Sequence, residues 1–203
     1  MNYLEICNEA LFKTKTNPIQ SIPVYEEVYS TSTQQAERAC RLQLPAAIDK
    51  VLVIYPWLFN RKVVKLTALP ESTLPFWQYA YALPTDYLRV NLVMDSAGES
   101  LVSDFDIVGN VLFSDEAEVY LEYGRKLGPL VDTEEVDIPP HIAECIALVL
   151  ADDVCPYLEA ERPTDHFSRL RIAIGQAKTL ESRTIKGLSY IDINSNSWIQ
   201  SRQ

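Results

Sequence analysis

Apolar residues recur along this chain at two periods, and the switch between them divides it. From Tyr3 to Lys13 the apolar side chains fall at 3, 4, 6, 7, 10 and 11, close to the spacing of a helix with one buried face. Asn17-Pro18 predicts its stop, because the residue before a proline avoids the α region. Ile19 to Val28 reads as an extended, proline-marked connection. Ser30-Thr31-Ser32-Thr33 then offers N-cap oxygens to a second helix, whose apolar face is 36, 40, 44, 47, 48, 51, 52 and 55. Pro45 interrupts that face, so the spacing predicts a kinked helix or two stacked helices over Thr33–Tyr55.

From Trp57 to Leu127 the period shortens. Val63-Val64, Leu66, Tyr79-Ala80-Tyr81, Leu88 to Met94, Phe105 to Val108 and Val119 to Tyr123 are short β-branched or aromatic runs. Pro70, Pro75, Pro84, Ser96-Ala97-Gly98 and Gly109-Asn110 separate them. Gly109-Asn110, flanked by Ile107-Val108 and Val111-Leu112, predicts a hairpin.

Helical spacing returns after Pro139-Pro140, a favourable helix start because the missing N–H would have had no partner there. Ile142, Cys145, Ile146, Val149, Leu150, Val154, Tyr157 and Leu158 form a stripe that Pro156 kinks or ends. Pro163-Thr164-Asp165 opens a last helix with Phe167, Leu170, Ala173, Ile174, Ala177 and Leu180 on one face, and the short connection predicts an antiparallel helical hairpin. Residues 185–203 differ: Gly187 and Asn194-Ser195-Asn196-Ser197 surround scattered apolar residues.

The expected fold class is therefore α+β: mainly a helical bundle from both chain ends, with an inserted small antiparallel β part and an extended C-terminal tail. One domain is expected over 1–184, with helices at about 3–55 and 140–182 and a β-rich insertion at about 57–127; the tail is 185–203.

Composition narrows the function classes. A 47% apolar content is enough for a real core, yet no apolar run approaches the ~18 residues of a membrane span. The first residues lack the basic and apolar regions of a signal peptide, so secretion is not expected. The net charge of −10 repels phosphate and argues against sequence-independent DNA binding. Cys7, Cys40, Cys145 and Cys155 lack zinc-site spacing and read as buried free thiols, in keeping with folding in a reduced cytoplasm.

Catalytic motifs are scarce. The chain has no Gly-x-Gly-x-x-Gly, no phosphate loop and no Gly-x-Ser-x-Gly. His141 and His166 each lie at a predicted helix start without a His or Cys at i+3 or i+4, so they read as exposed helix-start histidines, and no metal or cofactor is expected. Asp104 and Asp106, on one side of a predicted strand, keep a glycan-hydrolase alternative open, since paired carboxylates can serve as acid and base. Tyr55-Pro56-Trp57-Leu58-Phe59 and Phe76 to Tyr81 concentrate aromatics with few cations nearby, which favours core or subunit packing over stacking on bases.

The order of these pieces carries a resemblance. Asn17-Pro18-Ile19-x-Ser21-Ile22, then Tyr55-Pro56-Trp57-x-Phe59-Asn60, then Trp77-x-Tyr79-Ala80-Tyr81-x-Leu83-Pro84-x-Asp86-Tyr87-Leu88-Arg89, then the hairpin Phe105 to Ser114 and the helix after Pro140 run through most of the chain. Together they resemble the tail tubular protein A family, the head–tail adaptors of short-tailed phages. The glycine usual in that family after the first helix is absent, and nothing after Thr184 matches.

The resemblance implies a structural virion protein and no enzyme. It implies a ring of twelve copies between portal and tail nozzle at the head–tail junction, made and assembled in the host cytoplasm. Genomic DNA would pass through its channel without specific binding, and no membrane is involved. Trp57, Phe59, Tyr79, Tyr81, Pro84, Asp86 and Arg89 are the motif residues, with structural roles. Leu188, Tyr190, Ile191, Ile193 and Trp198, apolar in a polar segment, are candidate portal-docking residues. Twelve copies would sum to about −120, a wall along which duplex DNA slides.

Overall fold

A computed structural model describes residues 1–30, 33–70, 74–95, 101–128, 137–162 and 165–185. Helix α1 is Tyr3–Lys13, its first turn closed by a capping box: Asn2 Oδ1 accepts from the Glu5 N–H at 2.8 Å and Glu5 Oε2 from the Asn2 N–H at 2.9 Å. Helix α2 is Gln35–Ile54, one continuous helix through Pro45, which lies on the exposed side. Its N-cap is Gln34, whose N–H is accepted by Glu37 at 3.0 Å.

Helix α3, Pro140–Leu158, continues past Pro156 by less than a turn and ends at Glu159, in the left-handed region at φ 51°. Helix α4 is His166–Ile185. The start of α4 meets the second half of α3, where His166 lies 4.0 Å from Asp152, while the start of α3 meets the end of α4 through His141 and Glu181. The pair is thus an antiparallel hairpin.

α3 is buried at seven consecutive positions, Cys145 to Ala151, which go all the way round the helix. It is therefore the centre of the helical layer, with α1, α2 and α4 packed about it. Trp57, Ile138 and Ile19 complete this core.

The strands correct the expected fold class. They are no small insertion on a helical bundle: seven strands form two antiparallel sheets with a core of their own. One sheet has order β1-β7-β4, from Arg61–Lys65, Tyr120–Arg125 and Tyr87–Met94. The other has order β2-β3-β6-β5, from Thr67–Ala68, Tyr79–Ala82, Val111–Ser114 and Phe105–Val108. Val93, Leu121 and Tyr123 of the first share a core with Tyr81 and Leu112 of the second. The physical reason is that each short sheet has one apolar face, and two such faces hide most area against each other. The expected C-terminal tail, with Leu188, Tyr190, Ile191, Ile193 and Trp198, lies outside the described residues.

The β5–β6 hairpin follows from its turn. Val108 pairs with Val111, leaving the two-residue loop Gly109-Asn110, and only Gly109 has positive φ, at 62°. Glycine at the first central position is the II′ pattern, whose twist matches that of paired strands. No atom crowds a Cβ at Gly109, so the cost of a side chain there is conformational alone. Gly109→Ala is expected to lower stability by about 1–2 kcal/mol, read as a lower urea midpoint with unchanged slope.

Candidate functional site

Most of the motif residues gather where the helical layer meets the sheets. α2 stops at Ile54, and its last carbonyls have no partner within the helix. Two side chains take them up. The Trp57 indole, fully buried, donates to the Val51 carbonyl at 2.9 Å. Arg89 of β4 donates Nη1 to the Val53 carbonyl at 2.8 Å. A sheet residue thus caps a helix, and β4 is the strand that packs against α2. Phe59, half-buried, packs on the helical core just beyond.

The local register explains how Arg89 gets there. Arg61, Gly124 and Arg89 occupy one row across the sheet and so share a face. Gly124 leaves that row low: a Cβ there would meet Arg89 Cγ at 3.1 Å and Asn60 Nδ2 at 3.4 Å. Asn60, buried, donates Nδ2 to the Arg125 carbonyl at 3.1 Å, tying the end of the α2–β1 connection to β7. β4 is bulged at Leu88, an extra residue between Tyr87 and Arg89, and this aims Leu88 into the helical core while Tyr87 and Val90 stay in the sheet core.

Pro84 and Asp86 set the entry to β4. The Tyr87 N–H returns to the Pro84 carbonyl at 3.1 Å, closing a turn with Pro84 at its first position and Thr85 and Asp86 at its centre. Asp86 Oδ1 accepts from the Tyr123 hydroxyl at 2.8 Å, Oδ2 lies 3.5 Å from Lys62 Nζ, and its backbone carbonyl accepts the Lys126 N–H at 2.7 Å. Burial alone would raise its pKa, but the Tyr123 bond and the Lys62 charge outweigh it and hold the carboxyl below its ordinary value of 3.8. The Tyr123 hydroxyl moves the other way, pushed up to about 12 by burial first and then by Asp86.

Tyr79 and Tyr81 are less central. Tyr81 is buried in the sheet core with its hydroxyl on the Glu116 carbonyl, and Tyr79 packs half-buried beside it. The opposite face of β3 is covered too, which alternation alone does not foresee. Ala80 and Phe113 are buried in one row with Asp106, and the Trp77 indole is held over that row by a 3.0 Å bond to Asp106.

Glu181 is the residue that sequence reasoning missed. It continues the inward stripe of α4 after Ala173 and Ala177, an acidic side chain at a core position, and that spacing was the signal. Its Oε2 accepts the Leu58 N–H at 2.7 Å and its Oε1 lies 3.0 Å from His141 Nε2. One carboxylate thus ties α4 to α3 and to the chain leaving α2. The histidines are corrected accordingly. His141 is half-buried and paired, and His166 is 2% exposed. Neither is a free helix-start side chain: in the hairpin His141 faces Glu181 of α4 and His166 faces Asp152 of α3.

The carboxylates of the hydrolase alternative take separate positions. Asp104 lines a groove of 240 Å³ with Asp95, Asp115 and Glu116, whereas Asp106 does not line it and is bonded to Trp77. Among the described residues no group of three or more His, Cys, Asp or Glu side chains is placed to hold a metal ion, and no helix is long and apolar enough to cross a membrane. No protein-family model and no curated protein matches the chain.

Two expected outcomes follow. Glu181→Ala leaves the Leu58 N–H and His141 without their acceptor, so stability falls by about 2–3 kcal/mol, and Glu181→Gln falls less because its carbonyl oxygen still serves Leu58. Urea titrations of both variants measure this. For Asp86, a folded-state value below the unfolded one means stability that is present above 3.8 and is lost as pH falls through the folded value. Asp86→Asn lacks that term. Its deficit against the wild type, about 1 kcal/mol near neutrality for a partly exposed pair, is expected to close on acidification below the carboxylate range. A deficit independent of pH would assign the effect to turn geometry.

Proposed function

We propose that this chain is a structural component of a phage particle, a head–tail adaptor that assembles as a ring of twelve copies below the portal and receives the tail nozzle. The observation that carries the reading is the engagement of the resemblance-bearing residues. Trp57 and Arg89 cap α2, Pro84 and Asp86 fix the entry to β4, and Tyr81 anchors the sheet core. Each holds the helical layer to the sheets or builds the sheets, which is an architectural role. The acidic chain suits the role, because a ring of such copies presents DNA with a repelling wall.

In this reading, Leu188, Tyr190, Ile191, Ile193 and Trp198 contact the portal, a role that lies on residues outside those described.

The test is co-sedimentation with the purified portal ring of the same phage, with stoichiometry by mass. About twelve copies bound per portal ring is the expected result, and loss of binding on deletion of 186–203 assigns the portal contact to that segment. An intact portal that leaves the protein in the supernatant would overturn the adaptor reading.

A further inference from the structure

Two adjoining surface hollows run along α4 and the end of α1. One, of 540 Å³, is lined by Phe12, Lys13, Lys15 and Arg169 among others. The next, of 490 Å³, is lined by Ile172, Gly175, Gln176 and Leu180 among others. Arg169 lies one helical turn before Ile172, so the two form one strip. The strip is apolar where a folded chain rarely leaves large side chains: Phe12 is 82% exposed, Ile172 58% and Leu180 46%. Its charged lining residues are all cations, in a chain with 28 acidic and 18 basic residues. Glu9 pairs with Lys13 and Asp165 with Arg169, but Lys15 has no ion pair among the described residues.

The sheets carry the complement. The groove of 240 Å³ beside β6 is lined by Asp95, Asp104, Asp115 and Glu116, with no cation, and by Leu101, which is 63% exposed. We propose that the strip on α1 and α4 of one copy docks on this acidic groove of a second copy. Phe12, Ile172 and Leu180 then leave water, and Lys15 and Arg169 meet Asp104 and Glu116. Because the strip and the groove are different patches in different layers, the contact is heterologous and leaves a free groove on one copy and a free strip on the other. That is the connectivity a ring needs. The contact rests on the ring reading for its role, but it is tested on the free chain.

The test is sedimentation velocity of the full-length protein over a concentration series. Self-association is expected at about 0.1 M salt and is expected to weaken at about 1 M, where the Debye length drops from about 10 Å to about 3 Å. Lys15→Glu/Arg169→Glu makes both surfaces acidic, and Asp104→Lys/Glu116→Lys cancels the groove's negative charge and sets cations opposite Lys15 and Arg169. Each double variant is expected to raise the dissociation constant at least tenfold. All four substitutions in one chain restore opposite charges and are expected to restore association, which a misfolded protein would not do. A wild type monomeric at about 1 mM, or a fourfold variant no better than the doubles, would overturn the contact. Portal co-sedimentation separates the two readings. A wild type that binds the portal in rings, with both double variants binding equally, removes this contact and keeps the adaptor role. Self-association that follows the charge swaps in a chain that ignores the portal does the reverse.

Discussion

A helix that is apolar on every side has to be covered on every side, and α3 imposes this condition on the helical layer. Its buried run from Cys145 to Ala151 leaves no face for water. α1, α2 and α4 must therefore all reach it, although they come from opposite ends of the chain. Only the ends of α3 can carry polar links. At its start His141 meets Glu181, and toward its end Asp153 takes Lys50 of α2 at 2.7 Å. The exposed pair contributes little by itself. Glu181 is different, because it is buried and its loss leaves polar groups without partners.

The same economy governs the joint between layers. A helix end and a bulged strand each have a problem: unpaired carbonyls on α2, and an extra residue in β4. The structure solves both together. The bulge at Leu88 points an apolar side chain into the helical core, and Arg89 beside it reaches the Val53 carbonyl over the space left by Gly124. Replacing Arg89 by Lys would keep the charge but not the planar fork that packs across the sheet row. The resemblance-bearing segment from Pro84 to Arg89 thus behaves as one hinge-pin between layers, with Asp86 holding it to Tyr123 from the sheet side.

What was legible in the sequence was local. Helical spacing located α1 and the two C-terminal helices, and Gly109 located its hairpin, because each signal lies within a few residues. Long-range facts were not legible. Strand runs of four to eight residues read as an insertion, since nothing local shows that Leu121 and Leu112 meet across two sheets. The histidines read as exposed because helix starts usually are, and the hairpin that buries them is a tertiary event. Of the site, Trp57, Asp86 and Arg89 were visible through their motif. Gly124 and Asn60 were not, for their value lies in a row set by the register of β1, β7 and β4.

Charge placement bears on the proposed assembly. Many of the cations serve links within the chain: Lys50 to Asp153, Lys62 to Asp86, Arg61 to Glu122, Lys65 to Glu118 and Arg89 to the α2 carbonyl. What remains outward is mostly acidic, so two copies brought together at random repel each other. Repulsion of this kind costs little where charges are far apart and much where they face each other across a contact. An orientation that puts Lys15 and Arg169 against carboxylates turns the local term attractive, while most others keep it unfavourable. In the proposed contact the net charge of −10 acts against wrong pairings, and it favours an approach through the strip on α1 and α4, where apolar side chains and cations coincide.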